Sequence, residues 1–422
     1  MLRHGGSRAP QLPDVPQLIW LAIFVLIAGV LPSWAQGKPA IRSVTAFIRL
    51  DPAQYKDQLT DAIKMLRNAK SRFELAGYEV QTVRVTTQPF PEYTRGKSKQ
   101  EAIAFLKDLD AIGTQEKILI GIGPAMMNDS DDPSEAEILG EVLAHSGSLR
   151  ASVMVAGSDG VHWKSVQASA KVMKYLEENT MGGVGNFNFT ASANVPPYTP
   201  FYPASYHQGF GHQFAIALQS ANVIAGVMAV QRDADATRQA LVAELGMHAR
   251  AIADVAGKID EQTGWAYMGI DLSPAPHKEV SIGSAIAGFT GSHFGTSGTL
   301  TAVGIVTSAL RDINIKQVGF SGVMMPVLED TRLAQLWGQG TLTMDQILAY
   351  SAVCGTGLDT IPLPGDVSVE QLARIIGDVA TLSAKWSKPL TARLMPIPGG
   401  KPGDQTTFDD PNLVNTVLQP LP

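Results

Sequence analysis

The sequence predicts an α/β fold built around a mostly parallel sheet. Short runs rich in β-branched residues recur along the chain, and amphipathic stretches with helical periodicity lie between most of them. The chain is also large enough, because 422 residues with 45% hydrophobic side chains can bury a large core. No composition shift and no fixed-period repeat divides it, so a single domain over residues 36–422 is expected.

The clearest elements stand at the start of this domain. SVTAFIRL at 43–50 is predicted as the first strand and VQTVRVTT at 80–87 as the second, which ends before Pro89. The helix between them is predicted to end at Gly77, a residue suited to the left-handed conformation of a helix cap. Its apolar face consists of Leu59, Ile63, Leu66, Ala69 and Phe73.

Eight later segments complete the predicted sheet. They are KILIGIG (117–123), SVMVAGS (152–158), NFNFTASA (186–193), FAIALQ (214–219), GWAYMGIDL (264–272), QVGFSGV (317–323), GLDTIPL (357–363) and TARLMPI (391–397). Ten strands fit either an open sheet or a ten-stranded barrel. Further helices are predicted at 232–258, at 298–311 and after Ser368, which precedes its helix as a capping residue.

The N-terminus has the features of an export signal. Arg3 and Arg8 precede an apolar run from Leu18 to Leu31, and Ser-Trp-Ala then provides small residues at signal-peptidase spacing before Gln36. The run is short for a membrane span. A cleaved signal peptide over residues 1–35 and a periplasmic or secreted protein are therefore expected, and an uncleaved membrane anchor is the alternative.

Charge and cysteine content restrict the partners. The formal net charge is −6 and no dense run of Lys or Arg occurs, so neither nucleic acid nor a membrane surface beyond the N-terminal anchor is expected as a partner. One cysteine forms no internal disulfide. The expected partner is a small-molecule ligand or substrate, and a homo-oligomer is left open.

Several motifs resemble one known family. VQTVRVTTQPFPEY, GIDLSPAP, CGTGLDTIPLPGD and KPLTARLMPIPGGKPGD occur in this order, with a weaker match from NFNFTASANV to PFYPASYHQG. Over about residues 41–410 the chain resembles the uncharacterised family called domain of unknown function 711.

The resemblance implies a fold and limits the chemistry. The fold of the family is similar to the ten-stranded α/β barrel of glycyl radical enzymes such as pyruvate formate-lyase. The Arg-Val-Ser/Ala-Gly-Tyr type of radical loop and paired cysteines are missing here, so a barrel without radical chemistry is expected. Where many relatives carry a Thr-His-Gly-Thr turn, this chain has HFGTSGT from His293 to Thr299.

The single cysteine is predicted to be structural. Cys354 ends a predicted helix, TMDQILAYSAVC, where the helix dipole raises the pKa of a thiol. No second cysteine or nucleophile-elbow motif accompanies it. A nucleophilic thiol is the alternative.

Two aspartates are candidate catalytic residues. Asp271 and Asp359 each lie within or at the end of an apolar strand and precede proline-containing turns, the position at which α/β folds place their sites. An ionised carboxylate there needs a cation, a metal or hydrogen-bond donors. Capping of backbone amides is the alternative for each. Ser273, in the turn after Asp271, is a candidate ligand-binding residue.

His207 is the third acid/base candidate. It follows an aromatic loop, PYTPFYPASY, and lies five residues before His212, a spacing that a loop but not one helical face can bring together. A divalent metal held by carboxylates and His207 is an open alternative without a spacing motif.

Anion-binding groups are expected at two further places. Thr296 and Ser297 precede a predicted helix start, where hydroxyls and amides can cradle a carboxylate or phosphate. Arg393 and Lys388 flank a strand inside the fold, and either can hold an anion or pair with Asp359 or Asp271.

These residues support an enzyme that acts on a small polar or anionic molecule by acid/base or metal-assisted chemistry, of a non-radical lyase or hydrolase-like kind. A non-catalytic binder of a small ligand with the same fold is the alternative.

Overall fold

A mixed sheet of ten strands forms the centre of the protein. The computed structural model describes residues 37–421, so the expected export signal at 1–35 lies outside the described residues. From Lys38 onward the chain forms one compact unit. Within residues 37–421, no helix combines the length and apolarity that a membrane crossing requires.

The strands include every predicted region except one. They are β1 (Ala40–Ile48), β2 (Val80–Thr87), β3 (Leu119–Pro124), β4 (Leu149–Gly157), β5 (Gly160–Val161), β6 (Phe189–Ala193), β7 (His212–Gln219), β8 (Ala266–Asp271), β9 (Gly357–Pro364) and β10 (Leu390–Ile397). Their order in the sheet is β8-β7-β1-β2-β3-β4-β6-β10-β9, with β5 on β4.

The sheet consists of parallel groups joined by antiparallel contacts. Strands β1, β2, β3, β4 and β6 are parallel in this order, as are β7 with β8 and β9 with β10. Antiparallel pairs β1–β7 and β6–β10 join the groups. The predicted α/β class is confirmed, and in the described residues the hydrogen-bond ladder does not close into a ring.

Helices cover the sheet. They are α1 (Tyr55–Leu75), α2 (Pro91–Thr94), α3 (Lys99–Glu116), α4 (Ser134–Leu143), α5 (Trp163–Asn179), α6 (Ala221–Val230), α7 (Ala234–Thr263), α8 (Ile282–Thr290), α9 (Thr299–Asp312), α10 (Thr331–Gly338), α11 (Met344–Tyr350) and α12 (Val369–Trp386). The predicted apolar face of α1 is buried. Ser368 caps α12 through a reciprocal capping box with Gln371.

One predicted helix end was wrong. Helix α7 continues past Gly257 to Thr263 and ends at Gly264, whose φ of 72° is the left-handed conformation of a helix cap. A Cβ at position 257 would contact nothing within 4 Å, so glycine there costs helix propensity but creates no break.

The predicted strand at 317–323 does not form as a ladder. Gly319 and Ser321 have φ values of 73° and 42°, which bend the chain out of an extended conformation. Instead, Gln317 makes a single bridge to Ile270 on β8, and Pro326, just after the segment, makes one to Asp359 on β9. At 186–188, the predicted start of β6, the chain is the end of a 3-10 helix, Met181–Asn188.

A loop between β6 and β7 packs on the polar face of the sheet. The Pro200 carbonyl accepts hydrogen bonds from the Ser43 and Thr45 hydroxyls on β1, at 3.0 and 3.3 Å. The Tyr202 hydroxyl accepts from the Gly121 amide on β3 at 3.1 Å. The loop therefore covers one end of this face and leaves a polar cavity beside it.

Candidate functional site

A cavity of about 150 Å³ lies against the polar face of the sheet. Alternate residues of a strand share one face, and the cavity is lined by Thr82 and Arg84 of β2 and by Thr391 and Arg393 of β10. The loop residue Phe201 and Phe320 of the bridging segment also line it. Its charged side chains are Arg42, Arg84, Arg150, Arg393, Glu329, Asp359 and Asp410.

A buried ion-pair network forms one part of the cavity. Arg393 Nε donates to Asp359 Oδ1 at 2.6 Å, and its Nη2 donates to Glu329. Arg42 Nη2 lies 3.7 Å from the other oxygen of Glu329. Arg393, Glu329 and Asp359 are all buried. Two guanidinium groups and two carboxyl groups therefore balance each other locally.

The network shifts the pKa of its members. Burial raises the pKa of Glu329, and the Asp359 charge adds to this while Arg393 and Arg42 oppose it. Burial alone would lower the pKa of Arg393, but Asp359 and Glu329 raise it overall. Glu329 is thus suited to hold or release a proton, and Arg393 stays charged.

A bulge between β9 and β10 brings Asp359 to Arg393. Ala392 pairs with Leu358 and Leu394 with Ile361, so Asp359 and Thr360 together oppose Arg393. Thr360 is fully buried and has a φ of 47°, a strained conformation for a β-branched residue. The Leu328 amide donates to its hydroxyl at 3.1 Å, which fixes it next to the Glu329 turn.

Arg84 and Arg150 line the cavity without an ion-pair partner in the described residues. Arg84 Nε donates to the Thr82 hydroxyl at 3.1 Å and Nη1 reaches the Pro200 carbonyl at 3.5 Å. Arg150 Nη1 donates to the Leu149 carbonyl at 2.8 Å. Burial lowers the pKa of Arg84 to about 9 and that of Arg150 to about 10. Most of their donors remain available to an anion.

Strand register places these two arginines on either side of β3. Arg84 on β2 pairs with Leu119, and Arg150 on β4 pairs with Gly121 two residues further along β3. Their Cα atoms are therefore about 11–12 Å apart, a span that two long side chains cover when they bind one oxyanion.

One hydroxyl in the cavity lacks a partner. Thr356 lines the cavity and is 3% exposed, and its Oγ1 makes no hydrogen bond. The Thr356 backbone carbonyl, in contrast, accepts hydrogen bonds from both the amide and the hydroxyl of Thr391. A buried hydroxyl without a partner costs stability and is available to a ligand.

Of the residues proposed from the sequence, the structure brings Asp359 and Arg393 together in this cavity. It places Asp271 and Ser273 in a neighbouring buried position. The Asp271 carboxylate accepts from the Ser273 hydroxyl and from the amides of Phe320 and Ser321, at 2.7, 2.7 and 3.0 Å. Asp271 thereby fixes the turn that carries Phe320 to the cavity wall.

The other candidates lie outside the cavity lining. Lys388 is buried and donates to the Ser351 carbonyl at 2.9 Å, at the end of α11. Thr296 and Ser297 are exposed before α9, and the Thr296 hydroxyl donates to the His293 carbonyl. Cys354 is buried, and its Sγ accepts from the Gly357 amide at 3.5 Å.

His207 is buried away from the cavity lining. Gln213 donates from its amide nitrogen to the Phe210 carbonyl, so its Oε1 accepts from His207 Nε2 at 2.9 Å. His207 Nδ1 is then a buried acceptor without a partner. Burial lowers the pKa of His207 to about 4, and Arg49 and His212 add to this.

Acid should therefore destabilise the protein through His207. The folded-state pKa of about 4 lies below the ordinary value of 6.5, so the unfolded chain binds the proton more readily. The free energy of unfolding is therefore highest above about pH 6.5, where His207 is neutral in both states. It falls by about 1–3 kcal/mol as the pH drops toward 4. In urea unfolding, His207→Gln should lose less stability than the wild type over this range. An identical loss of stability in both proteins would contradict this role of His207.

No group of three or more His, Cys, Asp or Glu side chains within residues 37–421 is arranged to hold a metal ion. The divalent metal expected as an alternative stays a prediction.

Sequence reasoning missed Arg42, Arg84, Arg150 and Glu329. The alternation Thr82, Arg84, Thr86 in a predicted strand was a usable indication, because polar residues at every second position mark a solvated or functional face. Arg150 lay just before the predicted strand at 152–158, whose true start is Leu149. Glu329 belongs to a turn that no local pattern indicates.

Known proteins resemble this chain over most of its length. A family model described as Uncharacterised ACR (DUF711) matches residues 35–410. A UPF0210 protein of Pyrobaculum aerophilum is 30% identical over 394 residues, covering 86% of each chain. A UPF0210 protein of Syntrophobacter fumaroxidans is 26% identical over 405 residues, covering 87% of this chain and 88% of the relative.

Proposed function

The chain belongs to the DUF711 (UPF0210) family, and we propose that it is an enzyme that acts on a small anionic molecule in the arginine-rich cavity by acid/base chemistry. The observation that carries this proposal is the presence of Arg84 and Arg150 in the cavity without a carboxylate partner in the described chain. Leaving buried guanidinium groups uncompensated is costly, and an anionic ligand offsets that cost.

The ion-pair network next to these arginines supports a catalytic role. Glu329 and Asp359 both contact Arg393, which holds them at the cavity wall. In this proposal Arg84 and Arg150 bind the anion, and Glu329 and Asp359 exchange protons with the substrate. The strained Thr360 beside Asp359 is typical of functional positions. A non-radical lyase or hydrolase-like reaction fits two carboxyl groups of this kind.

Native mass spectrometry of protein purified from its host tests the proposal. A co-purified small anion should be present on the wild-type protein. Asp359→Asn keeps the volume and most hydrogen bonding but removes the charge, so turnover of that compound should fall at least a hundredfold while its affinity changes little. Wild-type protein that carries and binds no anion would refute the proposal.

A non-catalytic binder is the second candidate. Each of the two carboxyl groups is already paired with an arginine, an arrangement that also fits a static binding site. The same substitution separates the candidates. A binder loses affinity in Asp359→Asn and shows no turnover in either protein.

We further propose that the sheet forms the ten-stranded α/β barrel expected from the family resemblance. Segment 316–326 lies between the edge strands: the Val318 amide donates to Ile270 on β8, and the Gly355 amide donates to Val323 just before β9. This segment would complete a second five-stranded half. Amide hydrogen exchange should then protect Val318 and Gly355 to nearly the degree seen in β1. Exchange as fast as in exposed loops would refute closure.

We propose export as well, on the basis of residues 1–35 alone. Intact-mass analysis of the protein recovered from the periplasm or medium should give a mature chain that begins at Gln36. A membrane-bound species that retains Met1 would replace the cleaved signal with an anchor.

A further inference from the structure

We infer that the ligand of the cavity is a small hydroxycarboxylate, with its carboxylate at Arg84 and Arg150 and its hydroxyl at Thr356 and Asp359. The inference deepens the proposed function and rests on it. It adds the chemical class of the ligand and assigns a specificity-determining role to Thr356.

The two arginines of the cavity that lack an ion-pair partner select an anion. Arg84 and Arg150 each use few of their donors within the protein, and neither contacts a carboxylate in residues 37–421. Guanidinium groups match carboxylate and phosphate oxygens in paired hydrogen bonds. With all seven charged side chains ionised, four arginines and three carboxyl groups leave one net positive charge, which one carboxylate neutralises.

The same cavity also offers hydrogen-bonding groups without net charge. Thr356 Oγ1 is buried with no partner, and Asp359 uses Oδ1 for Arg393 while Oδ2 accepts no hydrogen bond in the described chain. A hydroxyl satisfies both, because it can donate to Asp359 and accept from Thr356. Since Arg42 and Arg393 already balance Glu329 and Asp359, a ligand ammonium would add an unbalanced charge beside Arg393.

The cavity volume limits the size of the ligand. A cavity of about 150 Å³ holds a molecule of about six non-hydrogen atoms, or slightly more. Lactate has this size. It forms a matched set with propionate, which lacks the hydroxyl, and with alanine, which carries an ammonium in its place.

Isothermal titration calorimetry of the purified full-length protein with these three compounds and with inorganic phosphate tests the inference. The better-bound enantiomer of lactate should have a Kd at least tenfold below that of propionate and of alanine. In Thr356→Val the advantage of lactate over propionate should shrink to less than threefold, while propionate binds as in the wild type. The valine has the same shape and Thr356 Oγ1 makes no hydrogen bond, so the variant should fold normally.

Each other outcome is decisive. Equal affinity for propionate and lactate, tighter binding of alanine, or binding of phosphate alone would overturn the hydroxycarboxylate and leave the proposed anion site intact. An unchanged lactate advantage in Thr356→Val would remove the role of Thr356. If none of the four probes binds, and no anion co-purifies, both the inference and the proposed function fail.

Discussion

Replacement of Arg393 by methionine is expected to lower the free energy of unfolding by about 3–5 kcal/mol and to abolish ligand binding. Arg393 is the hydrogen-bonded partner of both Asp359 and Glu329, and all three residues are buried. Without it, two carboxylates remain in the cavity wall, and Arg42, 3.7 Å from Glu329, is their one ion-pair partner left in the described residues. Removing one partner of a buried ion pair leaves an uncompensated charge, and this cost exceeds the value of the pair itself.

The destabilisation should depend on pH in a defined direction. In Arg393→Met the pKa of Glu329, which burial already raises, rises further because Arg393 no longer opposes the shift, so the folded variant binds protons more readily than its unfolded chain. Its stability therefore falls as the pH increases, and the deficit relative to wild type should be larger at pH 8 than at pH 5. Urea unfolding at both pH values measures it. Arg393→Lys, which retains the charge, should lose markedly less. Equal deficits at both pH values would contradict the ion-pair account.

Replacement of Arg84 by methionine should have the opposite effect on stability and a large effect on binding. Arg84 is 6% exposed and lacks an ion-pair partner in the described chain, so an apolar side chain of similar length removes a desolvation cost. The free energy of unfolding of the ligand-free protein should rise by about 1–2 kcal/mol. The affinity for the anionic ligand should fall at least about a hundredfold, since a buried charge pair is lost.

Arg150→Met is the matched comparison on the other side of β3. This substitution should also lower the affinity for the proposed anionic ligand strongly. Its gain in stability should be smaller, because Asp410 offsets part of the cost of burying Arg150. Thermal unfolding with and without ligand separates the two effects. An Arg84→Met protein that is less stable and still binds the anion would mean that Arg84 serves the fold and not the site.

Local patterns were sufficient where the signal lay within one segment. The apolar face of α1 was identified because its burial follows the helical period, and β2 has the predicted bounds because its β-branched run is followed by Pro89. The failure at 317–323 has a physical cause outside that segment. The Asp271 carboxylate accepts from two of its amides, and Gly319 and Ser321 adopt left-handed backbone. A hydrogen bond between residues about 50 positions apart in the sequence cannot be predicted from the apolar pattern of either segment.

The site was predictable only in part for the same reason. The sequence left Arg393 to hold an anion or to pair with Asp359 or Asp271, and the structure pairs it with Asp359. The bulge that aligns them depends on which residues of β9 and β10 pair. Arg84 and Arg150 become neighbours only through the strand order around β3. Strand order is a property of the whole sheet, so these arginines were missed.

The cavity draws its charged residues from nearly the whole chain: Arg42 lies on β1, Arg393 on β10, and Asp410 beyond the last strand. Contacts between residues so distant in sequence close long loops, and chains dominated by them fold slowly. A nascent chain that has not yet made β10 lacks Arg393 and leaves Glu329 and Asp359 unpaired. The cavity can therefore be complete only after synthesis of the chain is almost finished, and a fragment that lacks either end of the sheet should not bind the proposed anion.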